Sequence, residues 1–223
     1  MAAEDDVRSP REYSRARSVT LKLPQRVLEL PRGFDLYQRV VGAPGAKRRF
    51  IEEFVRPRAG ERVLDVGCGT GALCSYMPRG VEYVGVDVDA RYVETARERY
   101  LGRGEFVCAD IADLPETDVG SFDVAIAFGV VHHLADEQVR TALAVVRALL
   151  RPGGRLLASE PCLTDAAGRA ERFLMEHDRG RFIRAVDDYV ALAESAFPRV
   201  SARVVPGTYR IPFSVVVLEG RTG

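Results

Sequence analysis

Apolar positions in this chain gather in short blocks separated by charged stretches. Five such blocks, at Arg62–Val66, Tyr83–Asp87, Glu105–Ala109, Phe122–Phe128 and Arg155–Glu160, read as strands buried on both faces. Helical spacing fills two of the gaps. One stretch runs from about Ala90 to Tyr100, rich in Arg and Glu; the other, from about Glu137 to Leu150, sets Val139, Leu143, Val146 and Leu150 on one face. Strand and helix in alternation predict a parallel sheet covered on both sides. Upstream, Phe34–Gly42 reads as a short helix ending at glycine. Lys47–Val55 reads as another, with Phe50, Ile51, Phe54 and Val55 on one face and Arg56-Pro57 closing it.

The spacing changes after the fifth strand. Residues 161–198 carry two helical stretches, about Ala167–His177 and Val186–Ala196, joined by the polar link Asp178-Arg179-Gly180-Arg181. Two further strands, Val200–Val205 and Phe213–Leu218, follow with only about eight residues between them. That is too short for a crossover helix, so they pair antiparallel. The predicted fold is α/β, a seven-stranded mostly parallel sheet with a reversed last strand and helices on both faces. Residues 1–33 are expected to be a mobile segment and 34–223 a single domain, with the helices of about 34–56 and the insert of about 161–198 forming the substrate side.

Composition narrows the function. The 223 residues match one α/β domain. Lys plus Arg equal Asp plus Glu at 32 each, which argues against a broad nucleic-acid surface, although Arg8, Arg11, Arg15 and Arg17 cluster locally. The four cysteines, at 68, 74, 108 and 162, form no C-x-x-C pair; reduced thiols of a cytoplasmic protein are expected rather than a metal or disulfide framework. No apolar run reaches 18 residues and Met1–Arg8 has no signal-peptide core, so no membrane partner is expected.

Candidate chemistry centres on Val63-Leu64-Asp65-Val66-Gly67-Cys68-Gly69-Thr70-Gly71, followed by the helix-compatible Ala72–Met77. A strand entering a glycine loop turns backbone N–H groups toward a ligand with no Cβ in the way. Gly67, Gly69 and Ala72 fit the dinucleotide pattern G-x-G-x-x-A, with Asp87 about 20 residues on. Asp65 and the third glycine, Gly71, favour another ligand: a carboxylate ending strand one suits an ammonium group better than a pyrophosphate.

The loop resembles motif I of the class I S-adenosylmethionine (SAM)-dependent methyltransferases, D-x-G-x-G-x-G, and the resemblance covers about residues 34–220. It implies that Asp65, Gly67, Cys68, Gly69, Gly71 and Phe128 line the cofactor cleft. It implies that Asp87 accepts both ribose hydroxyls and that Val88 packs on the adenine edge. Ala109-Asp110-Ile111 resembles the motif in which Asp110 accepts from the adenine amine while the next backbone N–H meets a ring nitrogen. Phe122–Leu134 resembles the fourth motif with its His-His-Leu run, and Leu150–Gly154 its L-x-P-G-G turn. Other roles remain open: a helix N-cap for Asp87, and plain helix packing for Tyr37, which could instead cover the methionine end of SAM or touch substrate.

His132, just past the tip of strand four, is the candidate base, with His133 the neighbouring choice and a pocket-lining role the alternative. Subclass signatures are missing after strand four: there is no [DNS]-P-P-[YFW], no pair of glutamates and, with Phe at 128, no strand-end Asp or Asn for Mg²⁺. Pro161-Cys162 follows strand five, so Cys162 reads as a pocket or core residue. Glu160, Arg172, His177, Asp178, Arg179, Arg181 and Arg184 cluster near the insert; the arginines could clamp an anion, or the group could be a solvated face. The expected protein is a SAM-dependent methyltransferase acting on O, N or C of a small metabolite of natural-product or sugar type, as a monomer or homodimer. The alternatives are a tRNA- or protein-modifying enzyme, a SAM-binding scaffold without catalysis and, more distantly, a nicotinamide oxidoreductase.

Overall fold

The computed structural model describes residues 31–114, 121–164, 168, 171, 172, 175, 181–209 and 214–223, apart from the side chain of Phe34. The segment expected to be mobile lies outside them up to residue 30. The first helix, α1, runs Pro31–Val41 and stops at Gly42, whose φ of 89° only glycine adopts readily. Helix α2 spans Ala43–Arg49 and widens into a π-helical turn, Phe50–Val55. It starts earlier than the apolar spacing implied because Pro44 suits a first turn.

Strands β1 (Arg62–Val66), β2 (Glu82–Asp87), β3 (Glu105–Cys108), β4 (Phe122–Phe128) and β5 (Leu150–Leu163) run parallel. Helix α3 (Ala90–Arg99) follows β2 and α4 (Asp136–Leu149) follows β4. A two-residue strand, β6 (Arg184–Ala185), pairs with the end of β5 and leads into α5 (Val186–Glu194). The chain closes with β7 (Arg199–Val205) and β8 (Val215–Arg221). The main sheet has the order β3-β2-β1-β4-β5-β8-β7, and β8 alone is antiparallel to both neighbours. The mostly parallel sheet with a reversed last strand is therefore as expected, with β6 added.

Three local expectations change. Ala72–Tyr76 is a short 3₁₀ turn rather than an α-helix. The turn at 151–154 is a bulge within β5: Leu150 faces Phe122 and Arg155 faces Val124, so the residues between are looped out, with Gly153 at a φ of 79°. β5 also runs on to Leu163, so Pro161 and Cys162 lie in the strand and Cys162 is fully buried. The helix at about 167–177 falls mostly outside the described residues.

Side-chain alternation along the strands makes two cores. Leu64, Val84, Val86 and Ala125 face α4 and α5 through Val139, Leu143, Tyr189 and Leu192. Val63, Tyr83, Val124 and Ile126 face the other way, onto Phe50, Ile51, Val93 and Ala96. No described helix is long and apolar enough to cross a membrane.

Candidate active site

The carboxyl ends of β1, β2, β4 and β5, roofed by α1, enclose a cleft of about 880 Å³. Open parallel sheets gather ligand sites at this edge because the loops diverge there. The glycine loop forms the floor. Gly67 and Cys68 both donate to the Val86 carbonyl, at 2.8 and 3.0 Å, which folds the loop back against β2. A Cβ on Gly67 would stand 2.5 Å from a Val130 methyl, and the φ of 68° disfavours any side chain besides.

Asp87 ties this loop to β2. Its two carboxylate oxygens accept from the N–H groups of Gly69 at 2.8 Å and Asp89 at 2.9 Å. Each oxygen retains a second lone pair. Burial raises its pKa, and those two backbone hydrogen bonds oppose the rise. The helix N-cap is Asp89, which accepts from the Arg91 N–H, so Asp87 is not spent on capping α3.

Asp65 is buried and accepts the Tyr83 hydroxyl proton. Burial pushes its carboxyl up to about 7, against the opposing pull of the Tyr83 hydrogen bond and the Lys47 charge. Lys47, on α2, lines the same cleft beside Asp65. Burial lowers its ammonium to about 8, with Asp65 and Asp35 resisting. Its Nζ lies 5.9 Å from the centre of the Phe128 ring. A cation and an anion thus share the inner end of the cleft.

At the outer end, Asp110 accepts from the Ala112 N–H at 2.9 Å, which turns the chain so that buried Ile111 and exposed Val88 line the opening. Tyr37 and Gln38 line it from α1. That helix is pinned by Asp35, which accepts from the Thr70 hydroxyl at 2.7 Å and from Arg99 at 2.5 Å.

The tip of β4 carries the remaining chemistry. His132 is buried, and its Nδ1 lies 2.6 Å from Oε2 of the fully buried Glu160. Glu160 also accepts the N–H groups of Val130 and Val131 at 3.0 Å and of His132 at 3.3 Å. Exposed His133 stacks on His132 with ring centres 4.1 Å apart. Pro161 and Tyr209 complete the wall.

Residues 63–154 match the family described as "Methyltransferase domain". Over these residues the chain is similar to a methyltransferase domain. Over 111 residues it is 39% identical to the O-methyltransferase cnsE of Penicillium expansum, covering 47% of this chain and 39% of that protein. Over 125 residues it is 42% identical to the ubiquinone/menaquinone biosynthesis C-methyltransferase UbiE of Pseudomonas putida, covering 51% and 46%. The match spans less than half the length of either relative. Among solved structures, human N-acetylserotonin methyltransferase in complex with SAM superposes with a TM-score of 0.65 at 19% identity, over 89% of this chain and 56% of that one; it shares the fold.

In the matched stretch and its flanking helices, Tyr37, Asp65, Gly67, Cys68, Gly69, Asp87, Val88, Asp110, Ile111, Phe128 and His132 all line one cleft. Gly71 does not. A Cβ there would stand 2.8 Å from Phe106 and 3.0 Å from Tyr100, so its bare backbone serves loop packing. Cys68 contributes through its position in the loop, while its Sγ packs over Gly85.

Sequence reasoning missed Lys47, and it grouped Glu160 with the charged insert rather than with the His132 loop that it holds. Lys47 precedes Phe50, Ile51 and Phe54 by three, four and seven residues, which puts a charge on an apolar face and was its signal. Glu160 follows the apolar run Leu156–Ala158 in β5, near the sheet edge where β1 and β2 also place acids. Arg184 belongs neither to an anion clamp nor to a solvated face, being buried among the carbonyls of the His132 loop. Residues 177–179 of that charged cluster lie outside the described residues.

Proposed function

We propose that the cleft binds S-adenosylmethionine and that the chain methylates a hydroxyl oxygen of a small metabolite. The acceptor assignment rests on the 2.6 Å hydrogen bond between His132 Nδ1 and Glu160 at the cleft wall. The cofactor assignment has its own support. Lys47 and Asp65 side by side fit a zwitterionic amino-acid end, Lys47 facing its carboxylate and Asp65 its ammonium. Asp87, with lone pairs to spare, fits a ribose diol, and Asp110 with Ile111 fits an adenine edge. The bare backbone at Gly67 lets the loop at the cleft floor pack directly against Val130.

When bound, SAM supplies a methyl group already attached to a good leaving group. The protein then has to align the acceptor, exclude water and take a proton. Glu160 accepts the Nδ1 proton of His132, which leaves Nε2 as the basic nitrogen. A hydroxyl profits from that base, because its oxygen is a poor nucleophile until the proton departs. A neutral amine already presents its lone pair.

The zero net charge favours a small acceptor over nucleic acid. A buried carboxylate held against an imidazole at a cleft wall favours catalysis over a scaffold role, since such an arrangement is retained against a desolvation cost. Calorimetry with SAM, S-adenosylhomocysteine and NAD tests the cofactor: the first two are expected to bind, and binding of NAD alone would reject the reading. Labelled-methyl incorporation into extract fractions tests the acceptor. Label is expected in methyl ethers, formed slowly by His132→Ala; label confined to amines or methyl esters, or undiminished in the variant, would overturn the hydroxyl assignment.

A further inference from the structure

We infer that Arg184 is a positioning residue that aligns His132 as a base and couples it to the 161–185 insert; the inference rests on the reading of His132 given above. A guanidinium has five N–H donors, and Arg184 engages Nε and both terminal nitrogens in five hydrogen bonds. Nη1 donates to the carbonyls of Val131 at 3.2 Å and Phe182 at 2.9 Å. Nη2 donates to the Leu134 carbonyl at 2.7 Å and to Asp136 at 2.7 Å, and Nε donates to Asp136 at 3.0 Å. The residue is 8% exposed.

The His132 loop therefore has a charge on each side of its backbone. Its N–H groups at 130, 131 and 132 converge on the Glu160 carboxylate. Its carbonyls at 131 and 134 converge on the Arg184 guanidinium. The carbonyl of His132 itself accepts from the Phe182 N–H at 2.9 Å. One anion and one cation thus fix the peptide planes on both sides of the imidazole and hold Nδ1 on Glu160. Charge-assisted bonds to backbone are the strong class, and buried ones resist screening.

Arg184 also stands at the neck of the insert. Arg184 and Ala185 pair with Cys162 and Leu163, so the chain that leaves the sheet after β5 returns to it at this residue. The returning strand thus meets the His132 loop at two points, the Phe182 N–H on the His132 carbonyl and the Arg184 guanidinium on the carbonyls of Val131 and Leu134. Lysine has three donors on a single nitrogen and cannot span these carbonyls.

Nitrogen-15 spectroscopy of histidine-labelled full-length protein tests the inference without an acceptor. The chain has three histidines, and His133→Asn and His177→Asn identify the third. In the wild type at alkaline pH, His132 is expected as the Nδ1–H tautomer. In Arg184→Gln that signal is expected to give way to the Nε2–H or averaged form, while affinity for S-adenosylhomocysteine stays within about threefold. Arg184→Lys, the milder variant should the glutamine form fail to fold, is expected to lose most of the same signal. Asp136→Asn, which keeps all three guanidinium–carbonyl contacts, is expected to retain it. A wild-type tautomer pattern in folded Arg184→Gln or Arg184→Lys would overturn the positioning role. Absence of the Nδ1–H form from the wild type would instead overturn the base geometry itself.

Discussion

Glu160 meets His132 twice, accepting the backbone N–H at 3.3 Å and Nδ1 of the ring at 2.6 Å. One carboxylate therefore sets both the position of the histidine and the direction of its imidazole. The bond to Nδ1 decides which nitrogen carries the proton, and the backbone bonds keep the loop from relaxing around it.

Glu160→Gln keeps the shape but replaces one acceptor oxygen with a donor amide. With the amide at the Oε1 position the N–H groups of Val130 and Val131 lose their acceptor; at the Oε2 position the His132 N–H and ring Nδ1 lose theirs. Methyl transfer is expected to slow by roughly 10²–10⁴-fold, the range for general-base catalysis. Stability is expected to fall by about 1–3 kcal/mol, the cost of a buried unpaired group. Single-turnover kinetics and denaturant melts read the two effects, and SAM affinity should barely change.

Asp87→Ala removes the acceptor of the Gly69 and Asp89 N–H groups together with the proposed ribose contact. Binding of SAM is expected to weaken by at least about 1 kcal/mol, the net worth of an ordinary hydrogen bond. Titration calorimetry measures it; an unchanged affinity would move the ribose elsewhere.

The Asp65–Lys47 end of the cleft predicts a pH profile for stability. The folded carboxyl titrates near 7 against an ordinary 3.8, so the native chain holds this proton more tightly than the unfolded chain. The group's stabilising contribution is full below about pH 4 and is lost as pH rises toward 7. Lys47 acts in the next window: its folded pKa near 8 lies below 10.5, so its destabilisation is full below about 8 and is relieved between there and 10.5. Asp65→Asn is therefore expected to raise stability more at pH 8 than at pH 5, by up to about 3 kcal/mol of difference. Lys47→Met is expected to raise the melting temperature at pH 7 while weakening SAM binding. Melting curves across pH check the first, and paired melting and calorimetry the second; a Lys47→Met protein that binds SAM normally would remove the lysine from the site.

Gly67→Ala brings a methyl to within 2.5 Å of Val130, whose N–H is held by Glu160. The clash and the φ of 68° together are expected to cost about 1–3 kcal/mol each in stability. Adding Val130→Ala should recover the steric part and leave the backbone part. A double-mutant cycle by denaturant unfolding separates them.

Much of this architecture is legible in the residues, for a physical reason. Strands buried on both faces must be continuously apolar, so β1 to β4 stand out from the charged helices between them, and the short β7–β8 link forces a reversed strand. The glycine loop and the acids at 87 and 110 are local patterns, read without knowing the fold. Glu160 and Arg184 are different. Glu160 acts on a loop 28–30 residues away, and Arg184 on carbonyls, which every residue has. Lys47 sits among Lys47-Arg48-Arg49, and only its place above apolar neighbours separates it from two solvent-facing cations. Gly71 fits the loop pattern yet serves the packing of Phe106 and Tyr100, a contact that no local spacing encodes.

The carboxylate of Asp35 fastens α1 to Thr70 and Arg99 at 2.7 and 2.5 Å, and both members of the ion pair remain partly open to solvent. The roof of the cleft is thus latched electrostatically, from outside the sheet, by a pair that ionic strength can weaken. High salt is therefore expected to loosen this roof while the strands beneath it, joined by backbone hydrogen bonds, keep their register.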